Sequence, residues 1–365
     1  MSAPVNGLLD DLAALVSVES PSRDLTAVAR CADVVDDLAA QRIGRRAERV
    51  DVDGRLHLRW TFGEPRVVLL GHLDTVWPLG TLDRWPFEID GDRATGPGVF
   101  DMKAGLVQTF AALQSLDDCN GVAVLVTSDE EIGSTSSQQL IEDTCRNASA
   151  VLVLEPSADG ALKIARKGVG MFRVEVTGRA AHAGLEPERG INATVEAAHQ
   201  VLAIAGLGRA EVGTTVTPTL LSAGTTVNTV PASATIAVDV RAETVAEMAR
   251  VETALQSRGP VLPGAAVKVV ADSVRPPFER RHSAQLFDRA QRLAERLGLG
   301  SLDGVAVGGG SDGNLTAALG VPTLDGLGAV GGNAHAEGEW LSVSALPQRT
   351  ALVAALVNDL LEDIR

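Results

Sequence analysis

Three apolar runs in this chain each end in a histidine or an acid. Val67-Val68-Leu69-Leu70-Gly71 runs into His72-Leu73-Asp74, Val122–Ser128 into Asp129-Glu130-Glu131, and Val151–Leu154 into Glu155. Imidazole and carboxylate groups are nitrogen and oxygen ligands for divalent cations, and no thiolate stands among them. Clustered carboxylates cannot all ionise side by side, so gathering them calls for bound cations to resolve the conflict. Asp101 and His335 could join the set. Asp101 precedes Leu106, Phe110 and Leu113, an apolar face at helical spacing, and His335 lies in the Gly-rich loop Gly331–Glu337.

Each residue also has a plain reading. His72 and Asp74 fall on the same side of a strand end, so Asp74 can orient the ring nitrogen turned away from a metal. The same spacing serves an ordinary structural hydrogen bond. Asp101 at a helix start reads as an N-cap. Glu130 and Glu131 point opposite ways on extended backbone, which lets one ligate while the other acts as a base; a solvated acidic loop is the alternative. Glu155 alone is uninformative, and a loop histidine such as His335 is usually just exposed. Their conjunction is what carries the two-metal reading.

The elements that must position these groups follow from the same runs. Short β-branched runs read as buried parallel strands, and open α/β sheets bind ligands outside the carboxyl ends of their strands. Leu8, Leu9, Leu12 and Leu15 predict helices within residues 7–45. From Met171 the order changes: strand Met171–Thr177, helix Ala193–Leu207, strands Thr215–Ser222 and Ala234–Arg241, helix Thr244–Ser257, strand Ala266–Ala271. That order is βαββαβ, the ferredoxin-like pattern. An insertion at 168–275 leaves residues 1–167 and 276–365 as one discontinuous domain, with Arg275-Pro276-Pro277-Phe278 as a stiff junction. Gly326–Gly331 matches GxGxxG, but no amphipathic helix starts there, so a dinucleotide site is rejected. Gly308-Gly309-Gly310-Ser311-Asp312 reads as a tight turn whose Ser311 or Asp312 caps a helix through Leu319.

At 365 residues, 45% hydrophobic and 22% charged, the chain has the composition of a globular protein large enough for two domains. A net charge of −15 argues against nucleic acid or anionic membranes as partners. Three cysteines without CxxC spacing predict neither a disulfide frame nor a thiolate metal site. Met1-Ser2-Ala3-Pro4-Val5-Asn6 lacks a basic start and an apolar core, so a cytoplasmic location is expected.

Gly71–Val76, Gly96-Pro97-Gly98 through Asp101-Met102-Lys103, Ser128–Ser134, Leu154-Glu155-Pro156, Ala181-His182-Ala183-Gly184 and the late His335 occur together in one order. Over nearly the whole chain this pattern resembles the co-catalytic zinc metallopeptidase family of acetylornithine deacetylases, succinyl-diaminopimelate desuccinylases, aminoacylases and glutamate carboxypeptidases. Asn228–Thr235, Asp239-Val240-Arg241 and Arg275–Phe278 are similar to substrate-binding elements of its folate-cleaving glutamate carboxypeptidase branch. Glu at 155 resembles the carboxypeptidase and deacylase branches more than the aminopeptidase one. The resemblance implies an α/β, zinc-peptidase-like catalytic domain, with a mostly parallel sheet flanked by helices, and an inserted ferredoxin-like lid that also dimerises. It implies two zinc ions per subunit, with cobalt or manganese as substitutes. His72 and Glu155 would hold one, Glu131 and His335 the other, and Asp101 would bridge. Asp74 would support His72, and Glu130 would be the general base. His182 would reach the partner subunit's site, and Asn228, Arg241 and Arg275 would bind substrate.

The expected reaction is hydrolysis of an amide or peptide bond in a small substrate with a free carboxylate, releasing a C-terminal amino acid such as glutamate. An N-acyl amino acid deacylase of the acetylornithine or succinyl-diaminopimelate type is the alternative. Outside enzymes, a non-catalytic binder of an acidic ligand is disfavoured, since Glu130 would then accompany a full ligand set for no reason.

Overall fold

The computed structural model describes residues 5–363. The reading of the N-terminus rests largely on Met1–Pro4, outside those residues. The chain divides into two compact units. One takes the chain up to Ala165, Arg280–Val307 and the chain from Ser311; the other takes Arg166–Glu279 with Gly308–Gly310.

In the first unit the three apolar runs become adjacent parallel strands: Val122–Thr127 beside Val67–His72 beside Ala150–Val153. Thr323–Leu324 adds a fourth parallel strand, and Glu48–Val52 and Arg55–Phe62 continue the other edge antiparallel. The three central runs are buried at every residue because helices cover both faces. Val67, Leu69, Val122, Val124 and Leu152 pack among helices Val5–Val16, Leu25–Ile43, Ala104–Gln114 and Ala345–Glu362. Their alternates Val68, Leu70, Ala123, Leu125, Val151 and Val153 pack with Ile141, Cys145 and Leu315 from two shorter helices. The period of two in the strands thus builds a three-layer unit. Register pairs His72 with Thr127 and Leu70 with Val153, so His72, Glu130, Glu131 and Glu155 emerge at one carboxyl edge.

Two local expectations change here. The helix after Asp101 begins at Ala104 with Lys103 in the cap position, so Asp101 caps nothing. Buried Lys103 instead donates from Nζ to the Leu15 and Val18 carbonyls at 3.0 and 2.7 Å, tying the turn to the end of the first helix. The second change is at Glu130–Ile132, which form a 3₁₀ turn and not extended backbone. Ser311 does cap the helix Asp312–Ala318, in a capping box with Asn314.

The second unit carries an antiparallel sheet in the order Thr215–Ala223, Ser233–Ala242, Gly168–Thr177, Ala266–Arg275, with helices Ala193–Ala205 and Val245–Gln256. This is the ferredoxin-like arrangement. Phe172, Val174, Ile236, Val238, Ala197 and Val251 form its core. The bounds lie outside the expected 168–275 because Arg166 and Phe278 exchange backbone hydrogen bonds of 2.9 and 3.0 Å and draw both connecting segments into the unit. The expected junction Arg275–Phe278 therefore falls inside it, with Phe278 fully buried. Among the described residues no helix is long and apolar enough to cross a membrane.

Candidate metal centre

His72 stands at the end of its strand with Nε2 turned to two acids, 3.4 Å from Asp101 Oδ1 and 3.3 Å from Glu155 Oε1. The other Asp101 oxygen lies 3.3 Å from His335 Nε2, which is 3.1 Å from Glu131 Oε2. Asp101 therefore sits between the two imidazoles, each facing one of its oxygens. Ligand atoms of His72, Glu130 and Glu155 lie within 4.8 Å of one another, as do those of His72, Asp101 and Glu131. Helix Ala104–Gln114 brings the Asp101 turn this close to Glu155 because residue 105 is glycine. A Cβ there would stand 2.2 Å from the Leu154 carbonyl oxygen.

His335 Nε2 also makes a hydrogen bond with Glu131, 3.2 Å from Oε1. His72 Nε2 and Asp101 Oδ1 are buried and have no hydrogen-bond partner among the described residues. Leaving such a group unsatisfied costs about 1–3 kcal/mol, and more when it is charged. A buried nitrogen and a buried carboxylate oxygen left unpaired 3.4 Å apart, among further acids, suit a divalent cation.

The electrostatics agree. Burial opposes charge on His72, yet Asp101, Asp74 and Glu155 hold its pKa well above the ordinary value. His335 is pushed up to about 10 by Asp101 and Glu131. Burial works against ionised Asp101, but His335 and His72 hold its pKa below the usual carboxylate range. Burial, with Asp101 nearby, raises Glu131 against the pull of His335. The acids thus favour positive charge on both imidazoles, a demand that divalent cations would meet more fully.

Asp74 has a broader task than supporting His72. The nearest partner of His72 Nδ1 is the Asp74 main-chain carbonyl at 3.0 Å, with Oδ1 at 3.5 Å. The carboxylate accepts the Ser22 hydroxyl at 2.6 Å and the backbone N–H groups of Glu130 and Glu131 at 3.3 and 3.4 Å. Behind that turn, buried Asp129 accepts the Ser136 and Ser137 hydroxyls, and buried His57 lies 3.3 Å from Ser136 Oγ.

Three residues near the centre carried no sequence signal. Lys163 Nζ lies 3.7 Å from Glu155 Oε2, placing a cation beside the acids. Glu339 is fully buried and accepts hydrogen bonds from the turn that carries Asp101. His57 is a single histidine in an ordinary strand.

His182, Asn228, Arg241 and Arg275 all lie in the second unit. The short ladder of Ala181–His182 with Thr229–Val230, together with the hydrogen bond from Ala183 N–H to the Asn228 carbonyl, sets His182 beside Asn228. His182 Nδ1 accepts the N–H groups of Gly184 and Leu185, both at 3.1 Å, which leaves the ring proton on Nε2. The Asp239 carboxylate engages the Arg241 guanidinium at 2.9–3.2 Å. Arg275 is buried at the end of its strand, opposite Val169.

The family model for peptidase family M20/M25/M40 matches residues 68–359. Carboxypeptidase G2 of Pseudomonas sp. (strain RS-16) is 35% identical over 313 residues, covering 82% of this chain and 74% of that protein. Among solved structures, aminopeptidase PepT of Bacillus cereus superposes with a TM-score of 0.77 at 23% identity, covering 98% of this chain and 99% of that one. The metallo-carboxypeptidase Sso-CP2 of Sulfolobus solfataricus gives 0.73 at 16% identity, covering 96% and 98%.

Proposed function

Because the chain belongs to peptidase family M20/M25/M40 and is a metallohydrolase acting on amide bonds, we propose that it is a carboxypeptidase releasing a C-terminal amino acid such as glutamate from a small substrate. The observation that carries the reading is Asp101 set between His72 and His335, with Glu155 and Glu131 completing the two sides. In this reading His72 and Glu155 hold one zinc ion, Glu131 and His335 the other, and Asp101 serves both. Bound ions of this kind supply Lewis-acid polarisation of the scissile carbonyl and make a water easier to deprotonate.

The chain's own residues do the rest. Glu130 takes the proton of the attacking water and passes it to the leaving amine. Its placement by the Asp74 carboxylate supports that role. His182, with its proton on Nε2, is suited to donate to a developing oxyanion. The substrate carboxylate is assigned to the guanidinium groups of Arg275 and Arg241, the latter after exchanging its Asp239 partner. Asn228 would add a hydrogen bond. Identity to Carboxypeptidase G2 over most of the chain supports release of a terminal residue over other amide cleavages.

We place His182 in the site of a second subunit, in a homodimer joined through the 166–279 unit. Its edge strand Thr215–Ala223 exposes Leu220 and Leu221, and the adjacent helix exposes Val195 and Leu202. Such an edge with apolar neighbours suits pairing with another copy. A panel of folate-like and peptidyl glutamates, N-acetyl-ornithine and N-succinyl-diaminopimelate, each run with and without chelator, tests the substrate class. Chelator-sensitive turnover confined to the terminal-glutamate substrates is expected. Preference for the acyl amino acids would replace the proposal with a deacylase.

A further inference from the structure

The hairpin that carries His335 also carries Glu339. Gly331–Gly332 pairs with Trp340–Ser342, and both residues lie in the connecting loop. Glu339 is fully buried, and four N–H groups converge on its carboxylate. Oε1 accepts the backbone N–H groups of Phe100 and Asp101 at 2.8 and 2.9 Å. Oε2 accepts the backbone N–H of Gly98 at 3.0 Å and the Trp77 indole at 2.9 Å. Each oxygen thus receives two donors, which only an ionised carboxylate can satisfy in full. Three of the four come from the turn 98–101 that presents Asp101, far away in sequence. One side chain therefore fixes the Asp101 turn to the loop of His335.

We propose that Glu339 is a positioning residue for the metal centre, setting Asp101 against His335 by clamping the Gly98–Asp101 amides. The inference rests on the metal-ligand reading of Asp101 and His335. A conserved shape with an amide in place of the carboxylate cannot do this. Glutamine offers one acceptor oxygen, and its NH₂ would point at two N–H donors. The clamp acts on ligand geometry, so its loss should be felt in metal binding and not only in folding.

The test uses full-length protein loaded with cobalt. Cobalt retention is read by chelator competition, coordination by visible absorption, and folding by thermal melting of the metal-free form. In Glu339→Gln, cobalt should be held about 10- to 100-fold more weakly, the range for outer partners of metal ligands, with an altered visible spectrum. A lower melting point with the parent's cobalt retention and spectrum would overturn the proposal. If Glu339→Gln does not fold, Trp77→Phe decides. It removes one of the four donors and should weaken cobalt retention by about a few-fold, whereas parent-like retention would overturn the clamp. A parent protein that binds no cobalt would instead strike down the ligand reading, and the clamp with it.

Discussion

Asp74 Oδ1 accepts the backbone N–H of Glu130 at 3.3 Å while lying 3.5 Å from His72 Nδ1. One carboxylate thus fixes the strand end that carries an imidazole and the turn that carries the proposed base. Asp74→Asn keeps a single acceptor oxygen and turns an NH₂ toward groups that donate. Metal affinity should fall by about tenfold, the lower end of the range for such outer partners, and kcat should fall with it. Metal titration and steady-state kinetics on the purified variant check this. Parent values for both would limit Asp74 to a packing role.

Glu130 and Glu131 are neighbours with different company. The carboxylate of Glu131 lies 3.1 Å from His335, whereas the oxygens of Glu130 fall in the group of His72 and Glu155. Glu130→Ala should abolish turnover and leave about two ions per subunit, the number a two-metal site holds. Glu131→Ala should lower the metal content. Atomic absorption on both proteins decides, and equal loss would make Glu130 a ligand.

The central strands, their carboxyl edge and the βαββαβ unit were legible because burial on both faces writes continuous apolar runs and alternation into the sequence. The candidate ligands His72, Glu131 and Glu155 were legible because a histidine and acids follow the ends of those runs. Asp101 as a helix cap and Glu130–Glu131 as extended backbone failed for one reason: local propensity does not see a turn held from outside. The Asp101 turn is held by Lys103 and Glu339, and the acidic turn by Asp74. Glu339 was silent because it acts on a turn distant in sequence, and Lys163 because the turn between two strands, with no regular spacing, returns it to Glu155. The Asp239 carboxylate on Arg241 stands two positions away on the same strand face, a pairing that the period of two makes readable.

Burial lowers the pKa of His57 below its ordinary 6.5, although Asp129 pulls the other way and Arg55, Asp74 and Asp51 contribute smaller effects. A group that binds its proton less readily in the folded state makes the unfolded chain the better proton acceptor as pH falls. Stability from neutral His57 is therefore present above pH 6.5 and lost below it. Metal-free parent protein should lose more stability between about pH 7.5 and 5.5 than metal-free His57→Gln, a window set by the ordinary histidine pKa. Denaturant midpoints at the two pH values measure the difference. Parallel losses would show that His57 takes up its proton equally readily in the folded and unfolded chain.

His182 supplies a test of assembly. Glu130→Ala and His182→Ala proteins, each inactive alone, should regain activity when their subunits exchange. Half of randomly paired dimers are mixed, and one site in each joins an intact Glu130 to the partner's intact His182, so about a quarter of the sites should work. No recovery, with mixed dimers verified, would place His182 in its own subunit or outside the reaction.

The central claim is that amide hydrolysis here depends on cations held by His72, Asp101, Glu131, Glu155 and His335. Protein stripped by chelation and verified metal-free should be inactive. Added zinc, cobalt or manganese should restore activity in proportion to metal bound, saturating at about two ions per subunit. Full activity in the verified metal-free protein would contradict the account.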